Sequence, residues 1–262
     1  MKLLQIDAFT SEPFAGNPAA VCVLDDPRDD AWMAAVAREM NLSETAFLER
    51  RDGAWGLRWF TPAVEVELCG HATLASAHAL WELQLAAPTD TLRFETRSGT
   101  LTAQRSDAGI VLDFPAEPAT AVPWIRPLLD ALDVDTPIAF ARNRFDYLVE
   151  LADAERVRSL RPDMALLAEV PTRGVIVTAR GDTAAFDFVS RWFGPRVGVD
   201  EDPVTGSAHC CLGPWWSERL GLTELRGHQA SPRGGSVGVR VLGERVELIG
   251  NAVTVLRGEL VT

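Results

Sequence analysis

The sequence is short of cysteine, and the few cysteines present form no metal-binding pattern. Their spacing contains no C-x-x-C and fits no zinc-binding arrangement. Two of them follow a histidine in the run His209-Cys210-Cys211, but neighbouring residues on a helix point in different directions and do not share a metal easily. We therefore expect free, buried thiols and no bound metal. The four cysteines are Cys22, Cys69, Cys210 and Cys211.

The sequence also lacks long apolar runs and an excess of basic residues. No segment reaches the length of a membrane-spanning helix, and Asp7 interrupts the apolar stretch that an N-terminal secretory signal needs. With 25 basic and 37 acidic residues, the net charge is −12, which disfavours nucleic acid and anionic membranes as partners. There is no P-loop and no G-x-G-x-x-G after a strand, so no organic cofactor is predicted. These absences predict a cytoplasmic protein.

The chain does contain an internal repeat. Trp59-Phe60-Thr61-Pro62 precedes Cys69-Gly70-His71-Ala72-Thr73, and Trp192-Phe193-Gly194-Pro195 precedes Pro203-Val204-Thr205-Gly206-Ser207-Ala208. Each copy has the pattern of a strand, a loop, a glycine and the start of a helix. The repeat predicts two similar domains whose helix N-termini face one cleft, where backbone N–H groups would hold an anion.

Hydrophobic periodicity predicts many strands and one buried helix in each half. The buried helices are expected at 71–83 and 207–220, the second with a kink or break at Gly213 and Pro214. A further helix at 31–40 would place Trp32, Val36 and Met40 on one face. The proline-rich segment 115–123 sets the domain boundary, giving domains 1–117 and 118–250 and a terminal strand at about 251–262. The segments 142–146 and 226–235 are expected to be loops that shape the pocket.

Five motifs in this order carry a resemblance to a known family. They are Phe14-Ala15-Gly16-Asn17-Pro18-Ala19-Ala20-Val21, Asn41-Leu42-Ser43-Glu44-Thr45-Ala46-Phe47, Phe60-Thr61-Pro62, Cys69-Gly70-His71-Ala72-Thr73 and Glu201-Asp202-Pro203-Val204-Thr205-Gly206-Ser207-Ala208. Together they resemble the phenazine-biosynthesis isomerase (PhzF-like) family, which belongs to the diaminopimelate epimerase fold superfamily. The resemblance spans nearly the whole chain.

The resemblance implies an α+β fold of two similar domains related by pseudo-two-fold symmetry. Each domain is a mostly antiparallel, barrel-like sheet around a central helix, and the C-terminal strand returns to the first domain. It also implies a homodimer with an active site in the cleft between the domains. The chemistry expected is cofactor-free proton transfer on a small carboxylic acid.

Glu44 resembles the family's general acid/base. If residues 44–49 form a strand, Leu42, Glu44, Ala46 and Leu48 share one face, which places a carboxylate among apolar neighbours. Such burial is costly unless the group is paired or used, and it raises the pKa toward values useful for proton transfer. From the residues alone, an exposed edge-strand glutamate or a turn cap fits as well.

Two further residues resemble catalytic positions of the family. Asp202 would bind the substrate or tune the acid/base pair, although an aspartate before a proline is also an ordinary turn residue. His71 follows Gly70 at the start of the first buried helix and would contact the substrate or transfer a proton. A histidine that simply caps or packs there is the alternative. His78 is assigned to the core, and His209 and His228 to structural roles.

Gly70, Gly206 and Ser207 are the candidate anion-binding residues, because a glycine lets backbone amides approach a carboxylate and serine adds a hydroxyl. Asn17, in a loop at the cleft edge of the resembling fold, is a fourth candidate, although a plain turn fits it equally well.

Cys69 leaves an alternative open. Diaminopimelate epimerase uses two opposed cysteines, and Cys69 aligns with the first, whereas Pro203 stands at the second. The alternatives to the isomerase are an amino-acid racemase or epimerase using Glu44 and Cys69, and a non-catalytic protein that binds a small acid.

Overall fold

The computed structural model describes residues 1–261, which form seventeen strands and six helices numbered along the chain. The chain divides into two compact units. The first comprises residues 1–114 and the segment from residue 247 onwards, and the second comprises residues 115–246. Within the residues described, no helix is long and apolar enough to cross a membrane.

The first unit contains two helices, α1 (Asp30–Met40) and α2 (Gly70–Glu82). Its strands are β1 (Lys2–Ala8), β2 (Asn17–Val23), β3 (Glu44–Arg51), β4 (Ala54–Phe60), β5 (Glu65–Val66), β6 (Leu92–Thr96), β7 (Gly99–Ser106), β8 (Gly109–Pro115) and β17 (Ala252–Glu259). Most neighbouring strands pair antiparallel, including β1 with both β2 and β17. The exceptions are β2 with β3 and β4 with β6, which run parallel because a helix connects the strands of each pair.

Helix α2 is the buried element of the first unit. It packs against β1, β2, β3 and β17, and ten of its thirteen residues are buried. Alanine, threonine and serine fill six of the thirteen positions, so the helix can lie close to the strands on several sides. The hydroxyls of Thr73 and Ser76 donate to the carbonyls of Cys69 and Ala72 one turn earlier, and this satisfies them without water.

The second unit repeats this arrangement. Its helices are α3 (Arg126–Ala131), α4 (Ala154–Ser159), α5 (Met164–Glu169) and α6 (Gly206–Leu220). Its strands are β9 (Thr120–Ala121), β10 (Ala139–Arg142), β11 (Asp146–Glu150), β12 (Gly174–Thr183), β13 (Phe186–Phe193), β14 (Glu224–Gln229) and β15 (Gly235–Leu242), and β16 (Arg245–Gly250) leads back into the first unit.

The strand pairing follows the same sequence of directions in both units. In the first unit β1–β2, β2–β3, β3–β4, β4–β6 and β6–β7 are antiparallel, parallel, antiparallel, parallel and antiparallel. In the second unit β10–β11, β11–β12, β12–β13, β13–β14 and β14–β15 have the same order. Each unit therefore contains the predicted strand–loop–helix element, β4 with α2 and β13 with α6. The predicted mixed α+β fold is confirmed.

The sequence predicts a kink or a break in the second buried helix, and the break is wrong. Helix α6 runs without interruption through Gly213 and Pro214. A proline inside a helix leaves the carbonyl four residues earlier without its partner. Here that carbonyl belongs to Cys210, and it accepts a hydrogen bond of 3.0 Å from the backbone N–H of Glu117 instead. Gly213 in turn lies close to Val239, 2.7 Å from where its Cβ would stand.

The structure bears on three smaller predictions. Much of the predicted loop 226–235 is strand, because β14 extends to Gln229. Trp32, Val36 and Met40 of α1 pack into one core cluster, as expected for one face of the helix, although Trp32 and Met40 are only partly buried. The terminal strand is β17, which pairs with β1 and ends at Glu259. Thr262, the last residue of the predicted segment 251–262, lies outside the described residues.

Candidate active site

Two of the predicted site residues stand at the starts of neighbouring strands. Glu44 is the first residue of β3 and Asn17 is the first residue of β2. These strands are parallel, with Glu44 opposite Ala19, so Asn17 and Glu44 lie at the same end of the pair. Leu42 precedes β3 and packs into a core cluster with Phe47. The predicted apolar face around Glu44 therefore does not include Leu42.

Helix α2 brings His71 to this end of the strands. Nε2 of His71 lies 3.1 Å from Oε2 of Glu44, and Nδ1 lies 3.1 Å from the side-chain Nδ2 of Asn17. A neutral ring would accept from the Asn17 amide at Nδ1, whereas in the imidazolium both ring nitrogens are donors and the Asn17 amide oxygen is the atom that faces Nδ1. The Glu44 side chain keeps 18% of its surface exposed, against 5% for His71. Glu44 is thus the member of the pair that solvent or a ligand can reach.

The buried ion pair holds His71 in its charged form. Burial of the ring opposes protonation, but the neighbouring Glu44 side chain favours the charged form, so the pKa of His71 lies above its usual value. His71 is therefore favoured in its imidazolium form beside the Glu44 side chain.

Cys69 lies beside the same pair. Its Sγ is 3.5 Å from Nδ1 and 4.0 Å from Nε2 of His71, so it stands alongside the ring and not on the outward axis of either nitrogen. Burial raises the pKa of this thiol to about 11, and it stays protonated at neutral pH. Donor atoms of Glu44, Cys69 and His71 lie within 4.8 Å of one another. To bind a metal ion together with His71, the Cys69 thiol would have to lose its proton and its Sγ would have to move away from the side of the ring. The cluster is therefore not a preformed metal site.

The start of α6 in the second unit is held by a hydrogen-bonded network. The hydroxyl of Thr205 donates to Oδ2 of Asp202 over 2.6 Å, and the Thr205 N–H donates to the Gln229 side chain over 2.8 Å. Gln229 in turn donates to the carbonyl of Asp202. Asp202 therefore orders the turn that leads into Gly206 and Ser207, at the first two positions of the helix.

An arginine reaches the serine of this turn. Nη2 of Arg173 donates to Oγ of Ser207 over 3.0 Å, and the same guanidinium is paired with the fully buried carboxylate of Asp146. Trp192 also donates to Asp146. The orientation of Ser207 is thus fixed by Arg173, a residue 34 positions earlier in the chain.

The two glycine-led helices differ from most others in how they begin. Asp29, Asp153 and Asp163 cap α1, α4 and α5 with side-chain hydrogen bonds. Over residues 1–261, no side chain caps α2 after Cys69 or α6 after Thr205, because the Thr205 hydroxyl donates to Asp202. Uncapped N–H groups at the start of a buried helix favour an anionic partner. These are the helix starts at which the sequence predicts carboxylate binding.

The predicted residues form one group in each unit. Asn17, Glu44 and His71 contact one another in the first unit, and Gly70 opens α2 beside them. In the second unit, Asp202, Gly206 and Ser207 stand at the start of α6. Sequence reasoning missed Arg173 and Gln229, which support Ser207 and Thr205. Neither lies in a motif, so a single sequence offers no signal for them.

Solved structures define the class of fold. A hydroxyproline epimerase from Agrobacterium vitis, solved with trans-4-hydroxy-L-proline, matches with a TM-score of 0.65 over 98% of this chain and 91% of that one, at 12% identity. This likeness concerns the fold alone, and it places the chain among epimerase-like folds.

Closer matches define the family. The family model described as phenazine biosynthesis-like protein matches residues 6–258, and the chain belongs to this family. A PhzF family protein from Enterococcus faecalis has a TM-score of 0.95 at 41% identity, covering 100% of this chain and 99% of that one. An uncharacterized isomerase from Halalkalibacterium halodurans is 53% identical over 97% of this chain and 96% of its own. Another from Pseudomonas aeruginosa is 51% identical, over 98% and 97% respectively.

Proposed function

We propose that the protein is a cofactor-free isomerase that moves a proton between two carbons of a small carboxylic acid. The observation that carries this proposal is the contact between Glu44 and His71 at the uncapped start of α2. Membership of the family and the isomerase names of the relatives support the reaction class.

In this proposal Glu44 is the group that moves the proton. Its carboxyl group lies beside the His71 ring and is partly exposed, so it can take up a proton from a carbon next to an activating group. The N–H groups of Gly70 and His71 at the start of α2 stabilise the substrate carboxylate and the charge that develops on proton removal. Glu44 then returns the proton to another carbon.

His71 supports this cycle as the charged partner of Glu44. Its ring lies 3.1 Å from the Glu44 side chain, and the Asn17 side chain, 3.1 Å from Nδ1, fixes the orientation of the ring. We assign supporting roles in substrate binding to Asp202, Gly206 and Ser207, as the family motif implies.

The geometry disfavours the racemase that would use Glu44 and Cys69 as its two bases. Inversion at one carbon needs bases on opposite faces, each about 3–3.5 Å from the carbon, so they must stand about 6 Å or more apart. The donor atoms of Glu44 and Cys69 lie within 4.8 Å of each other. Cys69 is also buried and protonated at neutral pH.

The experiment is hydrogen exchange in deuterated water with a panel of small unsaturated carboxylic acids, followed by NMR. Glu44→Gln keeps the size of the side chain but removes the titrating group. We expect it to lower substrate-dependent exchange by roughly 10²- to 10⁴-fold, and Asp202→Asn to lower it less. The matched control is Glu82→Gln, which removes the partner of another α2 histidine, because Oε2 of Glu82 lies 3.1 Å from Nε2 of His78.

The outcomes separate the three candidate functions. Loss of exchange in Glu44→Gln, with exchange retained in Glu82→Gln and Cys69→Ala, supports the isomerase. Exchange that survives Glu44→Gln and is abolished by Cys69→Ala assigns the chemistry to the thiol and to the epimerase alternative. An acid that binds tightly but never exchanges hydrogen identifies a non-catalytic binding protein.

We further propose that the protein works as a homodimer in the cytoplasm. The homodimer rests on the family resemblance. The cytoplasmic location rests on the four free cysteines, which suit a reducing compartment. Sedimentation equilibrium tests the first proposal, and fractionation of the source cells tests the second.

A further inference from the structure

The second unit contains a pocket lined by arginines. It has a volume of about 510 Å³ and lies beside the turn between β10 and β11, the segment before β12 and the short 3₁₀ turn Pro195–Val197. Four of its eight lining residues are arginines, and none is acidic. We call it the basic pocket; its charged and aromatic lining residues are Arg142, Arg144, Phe145, Arg173 and Arg196.

Neighbouring groups hold these guanidinium groups in position. Arg144 and Arg173 each lie 4.7 Å from the ring centre of Phe145. Arg142 lies 4.8 Å from the ring of Tyr147 and donates to its hydroxyl over 3.3 Å. Arg196 donates to a backbone carbonyl, that of Ala168, over 3.2 Å. Aromatic and backbone contacts of this kind orient an arginine but leave its positive charge uncompensated.

The basic pocket concentrates positive charge. Several arginines elsewhere pair with carboxylates, as Arg126 does with Asp130 and Arg158 with Asp182. In the pocket, Arg173 pairs with the buried Asp146. In the part of the chain that the structure describes, Arg142, Arg144 and Arg196 have no carboxylate partner. Three uncompensated cations therefore share one pocket on a chain with a net charge of −12.

We propose that the basic pocket binds the carboxylate or phosphate group of a small anionic molecule. Guanidinium groups match the planar geometry of both anions and bind them with two parallel hydrogen bonds. Arg173 belongs to the pocket and also donates to Ser207. An anion in the pocket would thus share an arginine with a predicted substrate-binding residue. The proposal concerns binding alone and stands whether or not the isomerase reaction is correct.

The test is isothermal titration of the full chain with inorganic phosphate and, separately, with citrate, at constant ionic strength. The informative variants are Arg144→Gln and Arg196→Gln, because both side chains are exposed and no carboxylate depends on them. Arg173 is left intact, since its removal would strand the buried Asp146. Arg126→Gln is the matched control, an exposed arginine of the same unit that lies outside the pocket.

We expect one anion to bind per chain. Each pocket variant should weaken that binding about tenfold, the usual loss for one charge-assisted contact, and the control should leave it unchanged. Binding of phosphate, of citrate or of both supports the site and identifies the group it prefers. Binding of neither anion overturns the proposal, and so does equal affinity in Arg144→Gln, Arg196→Gln and the unaltered chain.

Discussion

The contact between Glu44 and His71 predicts a change in the pKa of His71 that can be measured without a substrate. Replacing Glu44 with glutamine removes the negative charge 3.1 Å from Nε2 of His71. Because that charge favours the imidazolium, the pKa of His71 should fall in the variant. Burial of the ring remains and acts in the same direction, since it penalises the charged form.

The structure sets the size of this fall. Two unit charges 4 Å apart interact by about 4 kcal/mol at an effective dielectric of about 20, and one pKa unit corresponds to about 1.4 kcal/mol. At the 3.1 Å separation of Glu44 and His71 the attraction is at least as large. We therefore expect Glu44→Gln to lower the pKa of His71 clearly.

The assay is an NMR titration of the histidine ring signals. The chain has four histidines, so replacing each in turn assigns every signal. Glu82→Gln is the control, because it removes the partner of His78 on the same helix and should leave the titration of His71 unchanged. A pKa of His71 that is the same with and without Glu44 would refute the ion pair, and with it the proposed state of the base.

The same shift links the pair to stability. Because the folded-state pKa of His71 is raised, its contribution to stability is complete below the ordinary histidine pKa and is lost as pH rises through the folded value. The difference in unfolding free energy between the unaltered chain and Glu44→Gln should therefore shrink at high pH.

Two further predictions concern stability. Burial lowers the pKa of His209 from 6.5 to about 4. As the pH decreases, the unfolded chain therefore binds this proton before the folded chain does, and the free energy of unfolding falls. Between pH 7 and pH 4, His209→Gln should remove about 3 kcal/mol of that loss, measured by urea unfolding. An unchanged loss would contradict the buried neutral ring. Gly16 has φ +63°, and a Cβ there would lie 2.2 Å from the carbonyl oxygen of Ala8. Gly53 has φ +71°, but a Cβ there would meet no atom within 4 Å. Gly53→Ala should therefore lower the free energy of unfolding by only about 1 kcal/mol, and Gly16→Ala should lower it clearly more. Equal losses would show that Ala8 moves away easily.

Much of the fold follows from local patterns in the sequence. The buried helices α2 and α6 are visible as runs of small residues after a glycine, and their strands as apolar alternation. Local patterns around Pro214 predict a break, because the compensating hydrogen bond comes from Glu117, which lies 93 residues before the acceptor Cys210. The strand β14 was missed because its Arg226, Gly227 and His228 look like a turn, although tertiary pairing with β13 and β15 makes them a strand.

The candidate site likewise contains some features that local sequence predicts and others that depend on long-range contacts. The motifs bring Glu44 and His71 to attention, and the parallel pairing of β2 and β3 with α2 behind them explains their contact. The spacing of the residues could not predict that Glu44 and Cys69 lie close in space, because Cys69 comes 25 positions later and belongs to a different motif. The cluster of these two residues with His71 therefore escaped a search for cysteine and histidine ligands alone.

The way the helices begin connects the fold to the proposed chemistry. A side-chain cap contributes about 1 kcal/mol to a helix, and the chain uses aspartate caps on α1, α4 and α5. It forgoes them on α2, where Cys69 precedes the helix, and on α6, where Thr205 donates to Asp202. Both helices are stabilised by burial instead, so they tolerate free N–H groups at their starts. That tolerance is what an anion-binding helix start requires, and in the first unit it coincides with a buried histidine, His71, that contacts the carboxylate of Glu44.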